Sequence, residues 1–120
     1  MPESVERLEI WQLGVEIVRK TYALSRQWPR EELYGLTNQA RRAAVSVPAN
    51  LAEGTGRGTP REAARHAQIA LGSTYELDTL VFLAMELGYI SLEQTQSLRD
   101  DLTTLAKRIA SFVRYQESRA

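Results

Sequence analysis

Apolar residues recur along the chain at alternating steps of three and four, the spacing that lines up one face of a 3.6-residue helix. No stretch alternates with the period of two that marks a strand. The pattern predicts four helices. In the first, roughly residues 5–27, Leu8, Trp11, Val15, Val18, Tyr22 and Ser25 form the stripe. Ile10, Leu13, Ile17 and Leu24 lie beside it, so this helix is apolar over more of its circumference than a one-sided surface helix requires. The second helix, from about Leu36 to Glu53 or a little beyond, points Leu36, Ala40, Ala43, Val47 and Leu51 inward. In the third, Ala63, Ala67, Ala70, Thr74, Leu77, Val81 and Ala84 step 4, 3, 4, 3, 4, 3. Leu98, Leu102, Leu105, Ile109 and Phe112 form the fourth stripe.

The punctuation between the stripes agrees with this division. Trp28-Pro29 ends the first helix, because the residue before a proline is pushed away from helical angles. Pro48 lies inside the second, where its ring removes a backbone donor and crowds the carbonyl of Ala44; a kinked single helix is expected, with two short helices meeting near Pro48 as the alternative. The Gly-rich run Gly54-Thr-Gly-Arg-Gly58 reads as a helix stop and loop. Thr59-Pro60-Arg61-Glu62 then joins an N-cap threonine, a first-position proline and a glutamate three residues after the cap, and Ser91-Leu-Glu-Gln94 offers a second capping box. Long helices, short loops and no strands predict an all-α, antiparallel up-down-up-down four-helix bundle, with residues 1–120 as one domain.

Composition removes several function classes. There is no cysteine and a single histidine, so disulfides, thiolate zinc sites, cysteine nucleophiles and His-rich metal clusters are all excluded. No metal or cofactor site is expected. No apolar run approaches the roughly 20 residues of a membrane span, and the start lacks signal-peptide character, so the expected location is cytoplasmic, without a membrane. The charges balance at 15 basic and 15 acidic, but the segment from Asn38 to His66 holds 5 basic and 2 acidic residues. Arginine, suited to bidentate pairing with carboxylates or phosphates, supplies 13 of the 15 cations.

Two groups of residues could carry chemistry. Gln39, Arg42, Ser46, Asn50, Glu53 and Arg57 form a polar row beside the apolar row of the second helix, and Ser73 and Glu76 stand on the third. The row is either a solvated face or a partly buried network joining Gln39, Arg42, Ser46, Asn50, Glu53, Ser73 and Glu76 between two helices. In the second group, Arg57, Arg61 and Arg65 sit beside the start of the third helix, where free N–H groups favour an anion such as a nucleic-acid phosphate, and Arg41 joins them in the positive middle segment. The bland alternative is solubility, with Glu62 pairing the arginines. His66 is expected at the surface. Trp11, Trp28, Tyr22 and Tyr34 are candidates for base stacking or for core filling. Ser46 and Ser73 lack a histidine placed as a base, so no catalytic residues are assigned and an enzyme is not expected.

The run Glu32-Leu-Tyr-Gly-Leu-Thr-Asn-Gln39, then Arg41-Arg-Ala-Ala-Val-Ser-Val-Pro-Ala-Asn-Leu-Ala-Glu-Gly54 and Gly56-Arg57, resembles the family of bacterial four-helix-bundle proteins encoded in intervening sequences of large-subunit ribosomal RNA genes. Leu71-Gly-Ser-x-x-Glu-Leu77 and Trp11-Gln12 fit the same pattern. The resemblance implies assembly into a ring of five and kinship with the accessory variability protein of diversity-generating retroelements, which associates with a reverse transcriptase and, through a basic surface, with nucleic acid. It places Arg42, Ser46, Pro48, Asn50, Glu53, Gly54, Arg57, Ser73 and Glu76 on the family motif. The expected protein is therefore a non-enzymatic homo-oligomer, most simply a pentamer, associated with RNA or DNA through its basic middle segment. The alternative is an adaptor for a protein partner.

Overall fold

The computed structural model describes residues 1–120 and is all-α, with no strand. Its helices are α1 (Glu3–Glu6), α2 (Glu9–Ser25), α3 (Leu36–Gly56), α4 (Pro60–Glu86) and α5 (Leu92–Arg119), with a 3-10 turn at Arg30–Glu32. No helix is long and apolar enough to cross a membrane. Each long helix packs on the next, and α5 returns to α2. Between α2 and α5, and between α3 and α4, the paired side chains run in opposite chain order. Across α2 and α5, Glu9 faces Arg108, Lys20 faces Asp101 and Gln27 faces Gln94. Across α3 and α4, Ser46 meets Ser73 and Asn50 meets His66.

The predicted first helix is two helices. Leu8 takes an extended conformation between them, and the Gln12 side-chain amide donates to the Glu6 carbonyl freed by the break. The interruption turns α1 over α3, where Val5 becomes fully buried. The inward face of α2 also differs from the predicted stripe. Ile10, Gly14, Ile17, Thr21 and Ser25 are buried, whereas Leu8, Trp11, Val15 and Val18 are half-covered flanks. Gly14 and Thr21 have little apolar weight, which hid this face from hydrophobic periodicity. Gly14 is there for proximity: a Cβ on it would stand 3.4 Å from Cβ of Pro48. The proline ring is thus buried against α2, and α3 runs through it as one helix.

The stripes of α3, α4 and α5 hold closely. All seven predicted inward residues of α4 are buried, after a start in which Thr59 accepts from the Glu62 amide and Pro60 takes the first turn. In α5 the Ser91–Gln94 capping box forms in both directions, and Leu98, Leu102, Leu105 and Ile109 are buried; Val113 takes the inward place after Ile109 and leaves Phe112 at the edge. Helix α3 ends at Gly56, inside the Gly-rich run, with Gly58 supplying the left-handed residue at φ +82°. The layers are uneven in bulk. Between α3 and α4 the core is Ala40, Ala43, Ala44, Ala67 and Ala70, small side chains that let backbones approach closely, while α5 contributes mainly leucine and isoleucine.

Candidate functional site

The polar row of α3 lies along its seam with α4. Ser46 and Ser73 share a hydrogen bond of 2.8 Å, and the Asn50 amide donates to the Ser46 hydroxyl (3.0 Å) and carbonyl (2.9 Å). On its other side, Asn50 Oδ1 lies 3.2 Å from His66 Nδ1, and Arg65 Nη2 lies 3.1 Å from His66 Nε2. A guanidinium only donates, so Nε2 is the acceptor and Nδ1–H donates to Asn50. Hydrogen bonds therefore link Arg65, His66, Asn50, Ser46 and Ser73 across the two helices.

His66, expected at the surface, is only 4% exposed. Its position follows from Gly54, where an added Cβ would stand 2.5 Å from His66 Cβ and 2.9 Å from the Glu62 carbonyl. The glycine lets the imidazole fill the space against α3. Two sequence signals pointed this way: His66 stands four residues before the buried Ala70, and Gly54 continues the inward row of α3.

Only part of the predicted network is joined. Ser46, Asn50 and Ser73 form its centre, and Glu53 Oε2 lies 3.7 Å from His66 Nδ1 at the exposed rim. Gln39, Arg42 and Glu76 are exposed, and instead line a shallow polar groove of about 400 Å³ with Asn38, Ala43, Ser46 and Ser73. Neither Arg42 nor Glu76 forms an ion pair. The geometric reason is that residues along one helix row spread over its length, so only those opposite a partner on α4 connect.

The arginines are divided too. Arg57 pairs with Glu53 at 3.2 Å and lies 3.8 Å from Glu62, and Arg65 meets Glu62 at 2.7 Å. The hydrogen bond from Arg65 holds the Glu62 carboxyl below its usual range, and the same bond raises Arg65. Much of the positive charge expected there is thus matched by carboxylates, and Arg61 alone of the three is without an ion pair. Arg41 is elsewhere. It lies sixteen residues up α3 from Arg57, about 24 Å at the helical rise.

At that end an open concavity of about 540 Å³ is lined by Tyr22, Leu33, Tyr34, Asn38, Arg41, Arg42, Val45 and Ser46, and by no carboxylate. Arg41 donates to Ser25 Oγ (2.9 Å), and its guanidinium carbon sits 4.6 Å from the Tyr22 ring centre. Tyr34 is 91% exposed. Of the aromatic candidates, Trp28 is in the core and Trp11 is half-buried, so the two tyrosines are the available ones. The segment that carries Leu33 and Tyr34 is held by Glu32. Its carboxylate accepts from the Leu36 amide (3.1 Å) and from the Tyr89 hydroxyl (2.7 Å), bonds that lower its pKa, and the second also raises that of Tyr89.

The arrangement suits binding. The imidazole is committed to Asn50 and Arg65, with no hydroxyl nucleophile bonded to it, and no three carboxylate or imidazole groups gather as metal ligands. The chain is thus an all-helical protein with a closed polar seam and an open basic-aromatic surface, and nothing in it indicates catalysis. Residues 6–111 match the family model described as 23S rRNA-intervening sequence protein, and the chain belongs to that family. A solved protein of unknown function from Bacteroides thetaiotaomicron VPI-5482, assigned to the S23 ribosomal protein family, has a similar fold: TM-score 0.79, 22% identity, covering 87% of this chain and 97% of its own. No curated protein matches the sequence.

Proposed function

We propose that this chain is a non-enzymatic, cytoplasmic, antiparallel up-down-up-down four-helix bundle that assembles into a ring of identical copies and associates with nucleic acid. Five copies, and kinship with the accessory variability protein of diversity-generating retroelements, follow from the family resemblance of the Glu32–Arg57 stretch. Self-association is supported by apolar surface that no element of the chain covers: Ile69 and Leu83 on α4, Leu87 just past its end and Leu92 at the start of α5.

The observation that carries the nucleic-acid reading is the concavity in which Arg41 and Arg42, unmatched by any carboxylate, stand with Tyr22 and Tyr34. Arg61 extends the cationic surface at the other end of α3, while Arg57 and Arg65 contribute less because of Glu53 and Glu62. This reading differs from one based on net charge, which is zero. Light scattering tests the ring, and a monomer refutes it. Binding of RNA that weakens steeply between about 50 and 200 mM salt is the expected result; no binding at low salt refutes the association.

The second reading is an adaptor whose protein partner covers the Leu83–Leu87–Leu92 surface. A purified partner complex that survives nuclease and is lost in Leu87→Glu favours it.

A further inference from the structure

We propose, building on the nucleic-acid association above, that the Tyr22–Tyr34 concavity takes unpaired, single-stranded nucleic acid, stacking a base on Tyr34 while Arg41 and Arg42 hold the adjoining phosphates. Three features favour a single strand over a duplex. First, Tyr34 is 91% exposed, with a ring free to stack. In a duplex the base faces are already stacked on each other, so this ring would have no partner there.

Second, Leu33 and Val45 give the concavity apolar walls beside its arginines. A duplex backbone presents phosphate and sugar, which suits an even basic surface better than this mixed one. Third, Arg41 is preorganised. Its bond to Ser25 and its place over Tyr22 position the guanidinium to meet a phosphate whose own unpaired base is free to reach Tyr34. A polyanion also fits the lining, which contains two arginines and no carboxylate.

The test uses the full-length protein, a short labelled oligouridine, and an adenine–uracil duplex of the same length, followed by fluorescence anisotropy. The single strand is expected to bind about tenfold tighter than the duplex, and Tyr34→Ala to remove about that factor for the single strand while leaving the duplex unchanged. Tyr34→Phe should retain single-strand binding, because the ring and not the hydroxyl does the stacking. Arg42→Gln should weaken both ligands and reduce the salt slope by about one. Tyr34 is so exposed that its replacement leaves the fold intact, which circular dichroism verifies.

Equal affinity for both forms, with Tyr34→Ala neutral, overturns single-strand selection while the broader association stands. No binding of either form at low salt overturns both. Displacement of the oligonucleotide by a poly-glutamate peptide at equal charge concentration also overturns base stacking, and assigns the surface to acidic protein partners.

Discussion

The α3–α4 seam and the Tyr22–Tyr34 concavity both draw on α3, and Ser46 borders each, yet one is closed and the other open. Along the seam, alanines and Gly54 bring the backbones together, and the polar side chains satisfy one another: Asn50 bridges Ser46 to His66, and Glu62 is matched by Arg65. At the concavity, Arg41 is held by a hydroxyl and a ring, and Arg42 has no ion-pair partner. Arginine density along the chain therefore does not locate available charge. What matters is whether a carboxylate lies opposite once the helices have packed, and that differs between the two ends of α3.

The sharpest way to break the comparison is to open the seam. Gly54→Ala would drive a methyl into His66 and the Glu62 carbonyl, and should destabilise the protein by about 1–3 kcal/mol. Gly56→Ala, two residues on, meets nothing within 4 Å at a position of negative φ, and should be neutral or slightly stabilising. Parallel denaturant melts separate these outcomes, and equal melts would mean that α3 and α4 are not in close contact at Gly54.

Next in size is Asn50→Ala, which leaves the buried Nδ1–H of His66 without its acceptor and should cost about 1–3 kcal/mol, at the lower end if water enters. The chemical shifts of the His66 ring nitrogens should move with it. An unchanged melt and unchanged nitrogen shifts would remove the seam's polar chain as a structural feature.

The smallest effect is expected at Glu32, which holds the segment that carries Tyr34, and it depends on pH. The carboxyl of Glu32 sits below its ordinary value of 4.5 because the Leu36 amide and then the Tyr89 hydroxyl bond to it. Its stabilising contribution is therefore full above the unfolded value and is lost as pH falls through the depressed folded one. The gap in melting temperature between wild type and Glu32→Gln should close on acidification through that range; a gap that stays constant would exclude the ionised carboxylate as its source. Tyr89 behaves oppositely. Its pKa is raised above 10.0, chiefly by the bond to Glu32, so its contribution is present below that value and lost as pH rises through the raised one.

Much of the fold was legible locally. Thr59-Pro60 and Ser91–Gln94 are helix starts because their side chains serve backbone groups within three residues, and the stripe from Ala63 to Ala84 is inward because bulk and spacing agree. The first helix was harder. Its true inward face runs through Gly14 and Thr21, chosen for closeness to Pro48 and for a side-chain bond to the Ile17 carbonyl, and hydrophobicity weighs neither. The candidate site was legible only by row. Ser46, Asn50 and Ser73 connect, but Arg42 and Glu76, in the same rows, stay exposed.

The capped starts of α4 and α5 and the all-helical class were set by the chain itself, since each depends on residues within a turn or two of one another. The burial of His66, the matching of Arg57 and Arg65 by glutamates, and the gathering of Tyr22, Tyr34, Arg41 and Arg42 around one hollow were decided only by packing. The physical reason is that charge availability and burial depend on what lies across a gap of a few ångströms. Residues many positions apart occupy that gap, and no local pattern records which of them arrive there.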